Sequence, residues 1–211
     1  DMVTSLPSDL SQAEITLQQS LLSYLKDDKK SPRISASLKF EGLRLMPIGI
    51  RIAKFLIDNN YSPKILWPDV GASALAKRDF PEINDFNFSH SELIKDSSLI
   101  NHEEVIISMS PQHYDYQDFE NICNLHKGLV FMLNGKLEDP IVGIGRVARD
   151  RRRNFISSWY PIYWLEPLTG GALMKVHPDT WNVYESSTDG YFLKKKLDEK
   201  PDQETLFELL D

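Results

Sequence analysis

The stretch that decides the fold is residues 104–135, EVIISMSPQHYDYQDFENICNLHKGLVFMLNG. Its opening, Glu104 to Ser110, is built around Val105-Ile106-Ile107 and stops at Pro111, which cannot donate to a strand ladder. Tyr116, Phe119, Ile122, Cys123 and His126 then recur at helical spacing, with Gly128 placed as a C-terminal cap. Leu129 to Leu133 is a second, wholly apolar strand closed by Asn134-Gly135. Strands this apolar need cover on both faces, so the stretch reads as strand, helix, parallel strand with a right-handed crossover.

The same grammar extends towards the N-terminus. Leu10, Ala13, Leu17, Leu21 and Leu25 predict an amphipathic helix from Ser8 to Lys26, and Ser11 and Glu14 have capping-box spacing. Arg33 to Phe40 alternates apolar and polar residues, the period of a half-wet strand. Leu45, Ile48, Ile52, Phe55 and Leu56 return to helical spacing, with the helix predicted to begin near Pro47. Lys64 to Trp67 is a short strand, Pro68 to Gly71 a tight turn, and Ala72 to Lys77 a helix. Phe80 to Ser98 has no sustained period and reads as loop.

Beyond Asn154 the texture changes. Ile156 to Leu165 is a strand-prone aromatic run, Thr169-Gly170-Gly171 a turn, and Ala172 to Val176 another strand. Trp181 to Tyr184 and Gly190 to Leu197 extend the meander, and Pro201 starts a last helix. The expected architecture is α/β: a Rossmann-like three-layer sandwich with a mainly parallel sheet and a hairpin-rich C-terminal part, residues 1–211 forming one domain.

Composition narrows the function classes. Twenty-four basic against 31 acidic residues give a formal charge of −7, which argues against a nucleic-acid-coating protein. The one cysteine, Cys123, permits no internal disulfide, and the five histidines lack metal-ligand spacing, so a reducing compartment and no metal site are expected. Arg44, Arg51 and Lys54 interrupt the longest apolar stretch, so no membrane span is expected; peripheral membrane association and a removed targeting segment stay open.

Two constellations can carry chemistry. Asp69 and Gly71 come after one strand, Ser110 ends the next, and Asn134 ends a third. In parallel α/β sheets these C-terminal edges hold ligands, here an anionic one beside Gly143, Gly145 and Arg146. Caps and turns account for the same residues equally simply. His113 beside Asp115 has the makings of an oriented base, but no nucleophile accompanies it. Neither a P-loop nor a complete dinucleotide fingerprint is present, so no cofactor and no catalytic residue are assigned.

The second constellation is Arg146, Arg149, Arg151, Arg152 and Arg153, five guanidinium groups in eight residues. Arg146, Arg149 and Arg153 share a helical face suited to phosphates, carboxylates or an acidic protein surface. Arg149, Arg151, Arg152 and Arg153, with Trp159 and Tyr163, are the candidate partner contact. The alternatives are a solvated helix paired to the chain's own acids, and aromatics that belong to a core.

Ordered landmarks carry a family resemblance. They are Leu6-Pro7-Ser8, residues 67–76 (WPDVGASALA), Ser110-Pro111, residues 133–139 (LNGKLED), Val142-Gly143-Ile144-Gly145, residues 163–168 (YWLEPL), Pro178-Asp179-Thr180-Trp181 and Lys200-Pro201. The chain resembles the cyanobacterial and plastid family of domains of unknown function numbered nineteen ninety-five. Asn134-Gly135 stands where that family has Asn-Pro. Members include a photosystem II assembly factor and the C-terminal extension of a plastid adenylate kinase. The resemblance implies an oxygenic phototroph, a cyanobacterial cytoplasm or chloroplast stroma, and an accessory role at the thylakoid through a protein partner. A phosphorylated metabolite, nucleotide or tetrapyrrole bound at the sheet edge is the alternative.

Overall fold

The computed structural model describes residues 5–28, 31–138 and 145–211. They fall into two compact units, one of residues 31–35, 44–138 and 145–160, the other of residues 5–28, 36–43 and 161–211.

The first unit is a parallel sheet with helices on both faces. Its strands β2 (Pro63–Trp67), β3 (Asn87–Ser89), β4 (Val105–Met109) and β5 (Val130–Leu133) lie in the order β3-β2-β4-β5. The register pairs Trp67 with Ser89, Leu66 with Ser108 and Met109 with Leu133, so the strands end along one edge. The first strand of the chain, β1 (Arg33–Leu38), is divided between the units by its residue numbers.

Strand alternation sorts the side chains of this unit. Leu66, Ile106, Val130 and Met132 meet Tyr116, Phe119, Ile122 and Cys123 of α5 (Tyr116–Leu125) in one core, which Phe155 and Trp159 complete. Met109 points the other way, towards α2 (Leu45–Asp58): its sulfur lies 2.5 Å from where a Cβ on Gly49 would stand, which is why that position has no side chain. The α/β class read from the sequence is the one observed.

The second unit is an antiparallel meander, β6 (Tyr160–Leu168), β7 (Gly171–Val176), β8 (Trp181–Ser187) and β9 (Gly190–Leu197), in sequential order. Tyr163 faces α1 (Leu10–Leu25), where its hydroxyl shares a hydrogen bond of 2.8 Å with Thr16. The neighbouring Trp164 faces the opposite side, packing with Leu173, Trp181, Val183 and Leu206 of α7 (Gln203–Leu210).

Several local expectations change. Asp9, not the Ser11–Glu14 pair, caps α1, accepting from the Gln12 N–H at 2.8 Å. Helix α2 starts at Leu45, and Pro47 falls in its first turn where no N–H is needed. Residues 80–98 are structured: β3 leads into α4 (His90–Lys95) through a capping box in which Ser89 and Glu92 exchange backbone hydrogen bonds. The C-cap of α5 is His126; Gly128 is glycine because the His102 carbonyl oxygen crowds the place its Cβ would take. The aromatic run begins as helix, α6 (Arg146–Ser157), and becomes strand only at Tyr160.

Candidate functional site

The C-terminal edge of the parallel strands brings Asp69, Ser110 and Asn134 to the ends of β2, β4 and β5. Asp69 is the N-cap of α3 (Val70–Asp79), its Oδ1 accepting from the Ala72 N–H at 2.7 Å, with Gly71 in the first turn. A carboxylate of the chain itself therefore occupies the electropositive helix end that an anion would seek. Ser110 and Asn134 both hold positive φ, 43° and 50°, a conformation costly for residues with side chains. It is secured by the Ser110 hydroxyl donating to the Asn134 carbonyl at 2.9 Å and by Gln112 Nε2 donating to the Ser110 carbonyl at 2.8 Å. These polar groups are spent on joining two strand ends. Gly143 lies outside the described residues, as do Val142 and Ile144.

The edge also holds a residue that sequence reasoning misses. His90, first residue of α4, is buried and stacked on Phe119 at 5.9 Å between ring centroids. Neither ring nitrogen has a hydrogen-bond partner among the described residues. Burial holds its pKa below the ordinary histidine value, against the opposing pull of Asp115, Asp118 and Asp69. The signal for it is the Ser89-x-x-Glu92 spacing, which marks a helix start in the segment read as loop. Asp115 orients no base: its Oδ2 accepts from the Gln112 N–H at 2.8 Å, and His113 packs edge-on against Tyr114. Among the described residues no group of three His, Cys, Asp or Glu side chains could hold a metal ion.

The five arginines lie on α6, with Gly145 at its N-cap and, among the described residues, no side-chain hydrogen bond at that end. Phe155 anchors the helix, edge-on to Tyr116 and to Trp159. Arg151 donates to the buried carboxylate of Glu120 on α5, which also accepts from the Tyr116 hydroxyl. Burial and that carboxylate push the tyrosine up to about 12. Arg152 lies over the Tyr116 ring, its Cζ 4.3 Å from the centroid.

Arg146, Arg149 and Arg153 are exposed and form no ion pair among the described residues. At positions i, i+3 and i+7 they fall within one narrow arc of the helix. Val147, next to Arg146 in the first turn, is 84% exposed. The two aromatics expected to join this face do not reach it. Trp159 is buried and stacked on Phe119 at 5.6 Å, and Tyr163 is fully buried in the second unit. Both are core residues: Tyr163 lies on an inward face of β6, and Trp159, in the junction between α6 and β6, packs against Phe119 and Phe155.

The family model for the domain of unknown function DUF1995 matches residues 7–208, nearly the whole chain. The chain belongs to this family. The match takes in β2 and its turn, the Ser110 and Asn134 strand ends, and the whole of the arginine helix. No curated protein matches the chain. Among the described residues no helix is long and apolar enough to cross a membrane.

Proposed function

We propose that the chain is a non-catalytic accessory protein that binds an acidic protein surface through the Arg146, Arg149 and Arg153 face of α6, and that its partner is a component of photosystem II assembly or thylakoid biogenesis. The observation that carries this is the unspent charge. In a chain with 31 acidic residues, three guanidiniums share one exposed arc and none meets a carboxylate among the described residues. Neighbouring like charges on a helix cost a few tenths of a kcal/mol per pair, about 0.3, and the single Asp150, at i+4 from Arg146 and i−3 from Arg153, offsets only part of three guanidiniums. The N-terminus of α6 adds positive potential at Arg146. Planar guanidiniums suit bidentate contact with Asp and Glu side chains. The photosynthetic setting rests on the family resemblance alone.

An anionic small molecule at the sheet edge is the weaker reading, because Asp69 closes the α3 N-terminus and Ser110 and Asn134 serve the turn. Nucleic acid is weaker still against a net charge of −7. The reading is tested in a deletion strain of the source phototroph, with pulse labelling of photosystem II assembly intermediates. Slowed assembly restored by the wild-type chain, and not by one reversed at Arg146, Arg149 and Arg153, supports it; unchanged assembly and turnover overturn it.

A further inference from the structure

The last helix borders a groove in the second unit that has no counterpart in the arginine face. It is a cavity of about 620 Å³ lined by Leu168 and Thr169 on one side and by residues of α7 on the other. Its floor is apolar, from Leu168, Leu206, Phe207 and Leu210, and Phe207 is 68% exposed. Its charged lining is acidic only, Glu204 and Asp211. Glu204, Glu208 and Asp211 recur at i, i+4 and i+7, so α7 carries an acidic stripe that borders the groove, Glu204 and Asp211 in its lining and Glu208 just outside it, and all three are exposed. No basic residue sits in the last turn of α7, so the negative end of its dipole adds to these carboxylates.

We infer that this groove is a docking site for a basic amphipathic helix, whose apolar face covers Phe207 and Leu168 while its lysines or arginines meet Glu204, Glu208 and Asp211. The eight residues of α7 extend about 12 Å, the length of two helical turns, which sets the size of the anchor. Apolar anchors at i, i+3, i+4 and i+7 with cations on the flanks fit such a groove. An acidic rim repels anionic lipid headgroups, so the chemistry favours a peptide over a membrane surface.

The test is fluorescence anisotropy of a labelled peptide of Leu and Lys, about four helical turns long with Leu at those positions, added to the full chain. Two control peptides are a scramble of the same composition and a version with Glu for Lys. Saturable binding of the amphipathic peptide is expected, weakened at least tenfold in Phe207→Ala and in the double variant Glu204→Gln/Asp211→Asn, and unchanged in Glu103→Gln, an exposed carboxylate outside the groove. Circular dichroism checks that α7 survives; Phe207→Tyr, which keeps the ring, should retain binding. Equal binding of the scramble, binding of the acidic peptide, or full retention in both groove variants overturns the proposal.

Discussion

Arg151 donates to the carboxylate of Glu120, and this one contact divides the arginines of α6 by task. Glu120 is almost wholly buried, whereas Arg151 keeps most of its side chain in solvent. The guanidinium thus compensates a charge that would otherwise sit in the core beside Tyr116. Arg151→Met should destabilise the chain by about 2 kcal/mol, below the usual cost of breaking a fully buried pair because water reaches the arginine. Glu120→Gln with Arg151→Met should recover part of the loss. Urea unfolding of the single and double variants checks both.

Charge reversal at Arg149 and Arg153 should change unfolding free energy by less than about 0.5 kcal/mol, as exposed charges without partners contribute little to the fold. The same denaturation series measures it, and a large loss would show that these groups are structural after all.

His90 gives the chain an acid-sensitive core. Its folded pKa lies below the unfolded value of about 6.5, so the folded state binds fewer protons. The stability it permits is complete above about 6.5 and drains away as pH falls towards the folded pKa. His126 is shifted in the same direction, chiefly by burial, and adds to the loss. His90→Phe should flatten the fall in urea midpoint between about pH 7 and 5.5, leaving the His126 share. It should also gain about 1 kcal/mol at neutral pH by removing two buried, unpartnered nitrogens. An identical pH profile in the variant would contradict this.

The thiol of Cys123 is pushed up to about 12 by burial. With that value only about one molecule in 10⁴ is thiolate at pH 8, and reagent must also reach the core. Native protein should therefore react with Ellman's reagent over hours and in seconds once unfolded in urea. Rapid native labelling would mean that the packing of Cys123 with Phe119 and Ile122 opens readily.

What the sequence disclosed depends on which forces are local. Val105 to Ile107 and Leu129 to Leu133 are too apolar to be anything but covered strands, and the period of α5 between them is unbroken, so the parallel sheet was legible. The short strand β3 was not, because three residues carry no period; only the Ser89–Glu92 capping spacing marked the start of α4. Gly128 reads as a cap in the sequence because close approach by the His102 carbonyl, distant in sequence, leaves no local trace. At the candidate site, the shared arc of Arg146, Arg149 and Arg153 was readable from helix geometry. That Arg151 and Arg152 turn inward to Glu120 and Tyr116 depends on how α5 packs, and that Trp159 and Tyr163 are core depends on where helix yields to strand at Tyr160.

The central claim, an acidic partner held by the arginine arc, is tested most directly at Val147, the exposed residue next to Arg146 in the first turn of α6. A photo-crosslinking residue, p-benzoylphenylalanine, placed at that position in the full chain should trap a photosystem II assembly component in thylakoid-containing extract. The crosslink should fade as salt rises towards about 0.5 M and vanish when Arg146, Arg149 and Arg153 are changed to Glu. A crosslink indifferent to both salt and charge reversal, or none to any thylakoid assembly protein, would contradict the account.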